Sequence, residues 1–166
     1  MKNIISGILN ISIIAGVASA ALAYPPEQEL TFSAELDSKQ VECLALNIYH
    51  EARGEDYYGQ LAVAEVTINR KNHSYWPDTI CEVVWQPGKF SWTNDGKSDR
   101  PRNYSAWAVA NIIARHALIS EDKILPENVV FYHADRITPY WVNHSSIVEY
   151  EMVDNHIFYT WSGNWN

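Results

Sequence analysis

The stretch CLALNIYHEARGEDYYGQLAVAEVTINR, residues 43–70, decides how the rest of the chain is read. Its first half continues an apolar stripe of Val41, Leu44, Ala45, Ile48 and Ala52 at helical spacing. Upstream, Asp37 and Gln40 fit a D-x-x-Q capping box, and Gly54 suits the residue just past a helix end. One helix is therefore predicted from Asp37 to Gly54. Tyr57-Tyr58-Gly59 reads as a turn. A second helix follows from Gln60 to about Lys71. Its run from Leu61 to Ile68 is apolar on nearly every side, which predicts a central, buried position.

Glu51 is the informative residue of this stretch. It lies at the edge of the apolar stripe, one turn from the helix end. Partial desolvation there favours the neutral acid, and the negative end of the helix dipole acts in the same direction. A carboxyl that keeps its proton near neutral pH is what general-acid chemistry at a glycosidic oxygen needs. Position alone fits a glutamate paired with Arg53, or left in solvent, at least as well. Glu65, between Leu61 and Ile68, is a rival that also reads as a structural acid bonded to a neighbouring loop. Glu55 and Asp56 read as solvated residues past the helix.

Working outward, residues 79–85 suggest a short helix, and 86–104 form a loop dense in Gly, Pro, Asp, Asn and Ser around Phe90 and Trp92. Ser105 suits the cap of a third long helix, Ala106 to Ile119. Trp107, spaced with Ala110 and Ala114, reads as core. Val129 to Tyr132 reads as a strand. Ile147–Met152 and His156–Trp161 read as a hairpin across Val153-Asp154-Asn155. The sum is an α+β domain with helices first and a small antiparallel β element late, over 36–166.

The chain has 166 residues, 12 Lys and Arg against 20 Asp and Glu, and a net charge of −8. That balance argues against a nucleic-acid partner. Residues 1–23 read as a signal peptide: Lys2, an apolar run from Ile4 to Val17, and Ala21-Leu22-Ala23 as the cleavage site. Residues 3–23 are just long enough to serve as a temporary membrane anchor instead. Residues 24–35 form a short lead-in. Removing 1–23 leaves a charge of −9, so long-range attraction to an anionic wall is not expected. Export places Cys43 and Cys81, the two cysteines, in a disulfide-permissive compartment, and a bridge between them is expected. Seven Trp and ten Tyr against four Phe suggest flat rings with polar handles that face a ligand.

The stretch around Glu51 resembles the opening motif of the cell wall hydrolase family typified by spore cortex-lytic enzymes of the SleB type. The matching residues are Glu51-Ala52-Arg53-Gly54-Glu55, Tyr58-Gly59-Gln60 and Asn69-Arg70. The resemblance continues through Trp76-Pro77-Asp78-Thr79-Ile80, Gln86-Pro87-Gly88, Phe90-Ser91-Trp92 and Asp95-Gly96. It then covers Phe131-Tyr132-His133-Ala134, Pro139-Tyr140-Trp141 and His156-Ile157-Phe158-Tyr159. It implies a reduced relative of the lysozyme and lytic transglycosylase fold, with Glu51 as the catalytic acid. It implies peptidoglycan glycan strands as substrate, cleaved between N-acetylmuramic acid and N-acetylglucosamine, and no cofactor. No peptidoglycan-binding repeat of the kind spore enzymes carry is read ahead of the motif. An exported envelope enzyme or a phage lysis protein, acting as a monomer, is thus the expectation.

Only Glu51 emerges as a catalytic carboxyl, which favours the one-acid lytic transglycosylase route over a two-carboxylate muramidase. Asp95 and Asp99 are the candidates for a second carboxylate. Trp92, Thr93, Tyr132, Tyr140 and Trp141 are the candidates for sugar contacts. His50-Glu51 begins like the H-E-x-x-H zinc motif of a metalloenzyme, but position 54 is Gly; His133, His144 and His156 are the remaining metal candidates for an amidase. No metal site is expected. A non-catalytic wall-binding module is the other alternative.

Overall fold

The computed structural model describes residues 36–163. The expected signal segment 1–23 and lead-in 24–35 lie outside the described residues. Four helices precede three strands: α1 (Ser38–Ala52), α2 (Tyr57–Asn72), α3 (Ile80–Val84), α4 (Tyr104–Ile119), β1 (Val129–Ala134), β2 (Ile147–Val153) and β3 (His156–Trp161). Two short 3-10 turns, Ser91–Asn94 and Tyr140–Asn143, interrupt the long connections. The expected order of helices, then antiparallel sheet, is what forms.

Helix α2 is the axis of the domain. Every residue from Gly59 to Arg70 is buried. One side packs with α1, α3 and α4 around Leu44, Ile48, Ile113 and Ala114. The other packs through Val63 and Val66 on Phe158 of the sheet, with Ala52 of α1 joining the same cluster. The sheet has the order β1-β3-β2, antiparallel throughout, so β3 is central. Cys43 and Cys81 are bridged, with Cα atoms 5.2 Å apart. Chain entropy assigns such a link about 4 kcal/mol.

Local capping departs from the sequence expectation in three places, once because a tertiary partner claims the side chain and twice because a residue further upstream takes the cap. Asp37 caps α1 by accepting from Lys39 N, but Gln40 does not close the box; its Oε1 accepts from Cys81 N at 3.1 Å and ties α1 to α3. Tyr57-Tyr58-Gly59 are the first turn of α2, not a turn before it, since Asp56 accepts from Gly59 N at 2.9 Å. Helix α4 starts at Tyr104 with Asn103 as its cap, and the Ser105 hydroxyl donates to Asn103.

The α1–α2 junction is clasped to the β2–β3 turn. Asp154 Oδ2 accepts from Asp56 N at 2.6 Å. Glu55 Oε2 accepts from Asn155 N and from its amide nitrogen, at 3.1 and 2.9 Å. Asp154 takes φ 51°, the left-handed region that Asp tolerates better than most residues. Gly59 is needed because the two pieces approach so closely: a Cβ there meets Glu55 Cβ at 2.8 Å and Asp154 Cβ at 3.1 Å. Gly59→Ala is expected to spread the clasp and cost about 1–3 kcal/mol, read from the midpoint of urea unfolding.

Candidate active site

Glu51 sits in the last turn of α1, half-buried. Helix α1 is held there by buried polar contacts. Asn47, one turn earlier, donates to the Thr67 hydroxyl of α2 at 3.0 Å and accepts from the Trp92 indole N–H at 3.2 Å. Tyr49 presents its hydroxyl oxygen to the backbone N–H groups of Arg102 and Asn103, which pins the long loop ahead of α4. Arg53 does not pair with Glu51; it lies over the Tyr49 ring, 5.1 Å from the centroid.

Across from Glu51, Tyr132 of β1 donates its hydroxyl to Glu51 Oε2 at 3.3 Å. Burial pushes the Glu51 pKa above the ordinary glutamate range. The Tyr132 hydrogen bond and the charge of Arg70 act in the opposite direction but do not overcome burial. Burial likewise holds Tyr132 well above the usual phenol range, so it remains a neutral donor. Arg70, at the end of α2, is 6% exposed and donates from Nε to Val130 O at 2.7 Å. Its guanidinium lies 5.3 Å from the Phe90 ring and 5.8 Å from that of Phe131.

Glu51 lines a cavity of about 370 Å³ with Ser91, Tyr132, Arg136, Trp141 and His156 among its walls. It is the only Asp or Glu in that lining. A second cavity, about 420 Å³, shares Lys89, Tyr132 and Trp141 with it and adds Arg70, Tyr75 and Tyr140. A third, about 630 Å³, shares His50 and contains Asp95 and Asp99. The three make a groove with Glu51 in its middle compartment. Its lining is strongly cationic: Arg70 and Lys89 at one end, Arg136 in the middle, and Arg53, Lys97, Arg100 and Arg102 at the other, seven of the chain's 12 basic residues. Three of its 20 acids face them. The net negative charge therefore does not describe the groove, where cations outnumber acids because most of the described acids are placed elsewhere.

The sequence candidates fall at different depths. Tyr132 touches Glu51, Trp141 walls two compartments, and Tyr140 stands 91% exposed at the rim. Trp92 is 7% exposed, with His50 stacked 4.4 Å from its ring, so it backs the third compartment from behind His50. Thr93 lines none of the three compartments and donates its hydroxyl to Phe90 O at 2.8 Å. Asp95 is tied to Lys97 by backbone and side-chain hydrogen bonds, which hold its carboxyl below the usual range. Glu65 accepts from the backbone N–H groups of Ile124 and Leu125, a structural role. His133 bonds Tyr159 Oη through Nε2, and His144 bonds the Ser146 hydroxyl. Among the described residues, no group of three His, Cys, Asp or Glu is placed to hold a metal ion. Asn47 and Arg70 were not singled out as site residues in the sequence; their polar groups acquire meaning only through long-range partners.

Residues 54–159 match the family model described as Cell Wall Hydrolase. The chain belongs to the cell wall hydrolase family. The family match begins just after Glu51, at the glycine of E-A-R-G-E. A spore cortex-lytic enzyme of Oceanobacillus iheyensis is 38% identical over 79 residues, 48% of this chain and 26% of the relative. The spore cortex-lytic enzyme of Bacillus subtilis is 38% identical over 60 residues, 36% of this chain and 20% of the relative. The chain thus spans about a quarter of the length of the curated relatives it matches. The catalytic domain of the Bacillus cereus SleB protein superposes with a TM-score of 0.57 at 25% identity, covering 73% of this chain and 89% of that one. The catalytic domain of the germination-specific lytic transglycosylase SleB from Bacillus anthracis gives the same TM-score and identity over 72% and 92%. The α+β fold is that of these cell wall hydrolase domains.

Two outcomes follow from the balance at Glu51. Tyr132→Phe removes the bond that favours the carboxylate, so the Glu51 titration midpoint moves upward, as read by carboxyl carbon NMR. A raised folded-state pKa means that the unfolded chain releases this proton first. Stability contributed by protonated Glu51 is complete below the unfolded value, about 4.3, and is lost as pH rises through the folded value. Glu51→Gln therefore raises the Tm relative to wild type at pH 7.5, and the gap closes at pH 4.

Proposed function

We propose that the chain cleaves peptidoglycan glycan strands between N-acetylmuramic acid and N-acetylglucosamine as a lytic transglycosylase. The observation that carries this is the lone carboxyl of Glu51, its pKa raised by burial, in the middle of a groove that extends on both sides of it. Glu51 donates its proton to the glycosidic oxygen as the bond to muramoyl C1 breaks. The carboxylate left behind is stabilised by the Tyr132 hydroxyl and the nearby charge of Arg70. It then takes the proton of the muramoyl C6 hydroxyl while O6 bonds to C1. The products are a 1,6-anhydro end and a free N-acetylglucosamine hydroxyl, Glu51 regains its proton, and no water is consumed. A muramidase needs a second carboxylate close to the scissile bond. Asp95 and Asp99 lie in the adjoining compartment. Export by residues 1–23 would bring this monomeric domain to its substrate outside the cytoplasmic membrane.

Glu51→Gln, assayed on purified sacculi, is expected to lose about 10²–10⁴-fold in lytic rate while still sedimenting with the sacculi. Undiminished lysis removes Glu51 as the acid. Mass spectrometry of wild-type digests is expected to show ends lighter by one water than hydrolysed ends. Hydrolysed ends alone identify a muramidase.

A further inference from the structure

We infer that the compartment beside Glu51 is a carboxylate-binding subsite, in which Arg70 and Lys89 receive a free carboxylate of the peptide stem borne by the muramoyl residue. This rests on the proposed cleavage of peptidoglycan and names what selects the strand.

Arg70 is 6% exposed, and a guanidinium so buried is costly unless an anion or several acceptors answer it. Protein answers it incompletely. Nε reaches Val130 O, but the buried Nη1 has no acceptor. Phe90 and Phe131 offer ring faces, which attract the charge without accepting its directed N–H bonds. Among the described residues, no carboxylate is in ion-pair contact with Arg70 or Lys89.

Lys89 lines the same compartment, and no acid lines it at all. Partial desolvation of this largely exposed side chain, followed by the charge of Arg70, holds the Lys89 ammonium below its usual range. Two cations that share a compartment lined by no acid form a site whose affinity for an anion is already built in. The compartment shares Lys89, Tyr132 and Trp141 with that of Glu51, so a substituent of a sugar at the cleavage point can enter it. A carboxylate matches the planar fork of a guanidinium and the point charge of an ammonium together.

The test uses purified glycan strands with peptide stems, freed of phosphate polymers, in two forms. In one the stem carboxylates are intact; in the other they are converted to methylamides. The wild type is expected to cleave the intact form with kcat/KM about tenfold or more higher, the size of one charge-assisted hydrogen bond. Arg70→Lys, which loses the fork, is expected to narrow that preference. Lys89→Gln is expected to narrow it severalfold, chiefly through KM. Lys89 is exposed, so this variant decides the matter even if Arg70→Lys fails to fold. Equal wild-type rates on the two forms overturn the subsite and leave glycan cleavage standing. A preference untouched in both variants also overturns it. Failure to cleave either form removes the subsite together with the proposed function.

Discussion

The structure depends on one constraint: the end of α1 must be dry enough to raise the pKa of a carboxyl yet open to a groove. The clasp at the α1–α2 junction helps meet it. Asp56, Glu55 and Gly59 hold the β2–β3 turn against the helices. Because β3 pairs with β1, fixing that turn also fixes the strand that carries Tyr132. The hydroxyl bonded to Glu51 is therefore set by a contact made on the far side of the sheet order, not by the chain neighbouring it.

Arg70 completes that arrangement from α2. A buried cation near a buried acid lowers the acid's pKa, but here desolvation is the larger effect and the net shift is upward. The result is an acid that gives up its proton less readily than an ordinary glutamate and finds its charge supported once the proton has left. The same residue is held by Val130 of β1, so the electrostatics and the seam between helix and sheet share one side chain.

Much of this was legible in the chain. The 3.6-residue stripe of α1, the all-round apolar run of α2 and the late hairpin all follow from periodicity, and the buried placement of Glu51 from its position on the stripe. The bridge of Cys43 and Cys81 followed from the cysteine count and the expectation of export. The misses share a physical cause. Gln40 looked like a capping residue because its partner, Cys81 N, is far along the sequence. Tyr57 looked like a turn because the close contact that makes Gly59 necessary comes from Asp154. Arg70 read only as the end of a motif, since its backbone partner lies 60 residues on. Trp92 looked like an open platform until His50 was seen stacked against it.

The placement of charge changes what net charge means for this molecule. Seven cations line the groove, while 14 of the 17 acids among the described residues lie outside it. A uniformly negative sphere would meet an anionic polymer with the same reluctance from every side. Here the field turns approach into an alignment problem: the molecule is repelled when it arrives acidic surface first and drawn in when it arrives groove first. The net repulsion then works as an orientational filter, releasing unproductive encounters quickly and leaving the chain free to sample the polymer again.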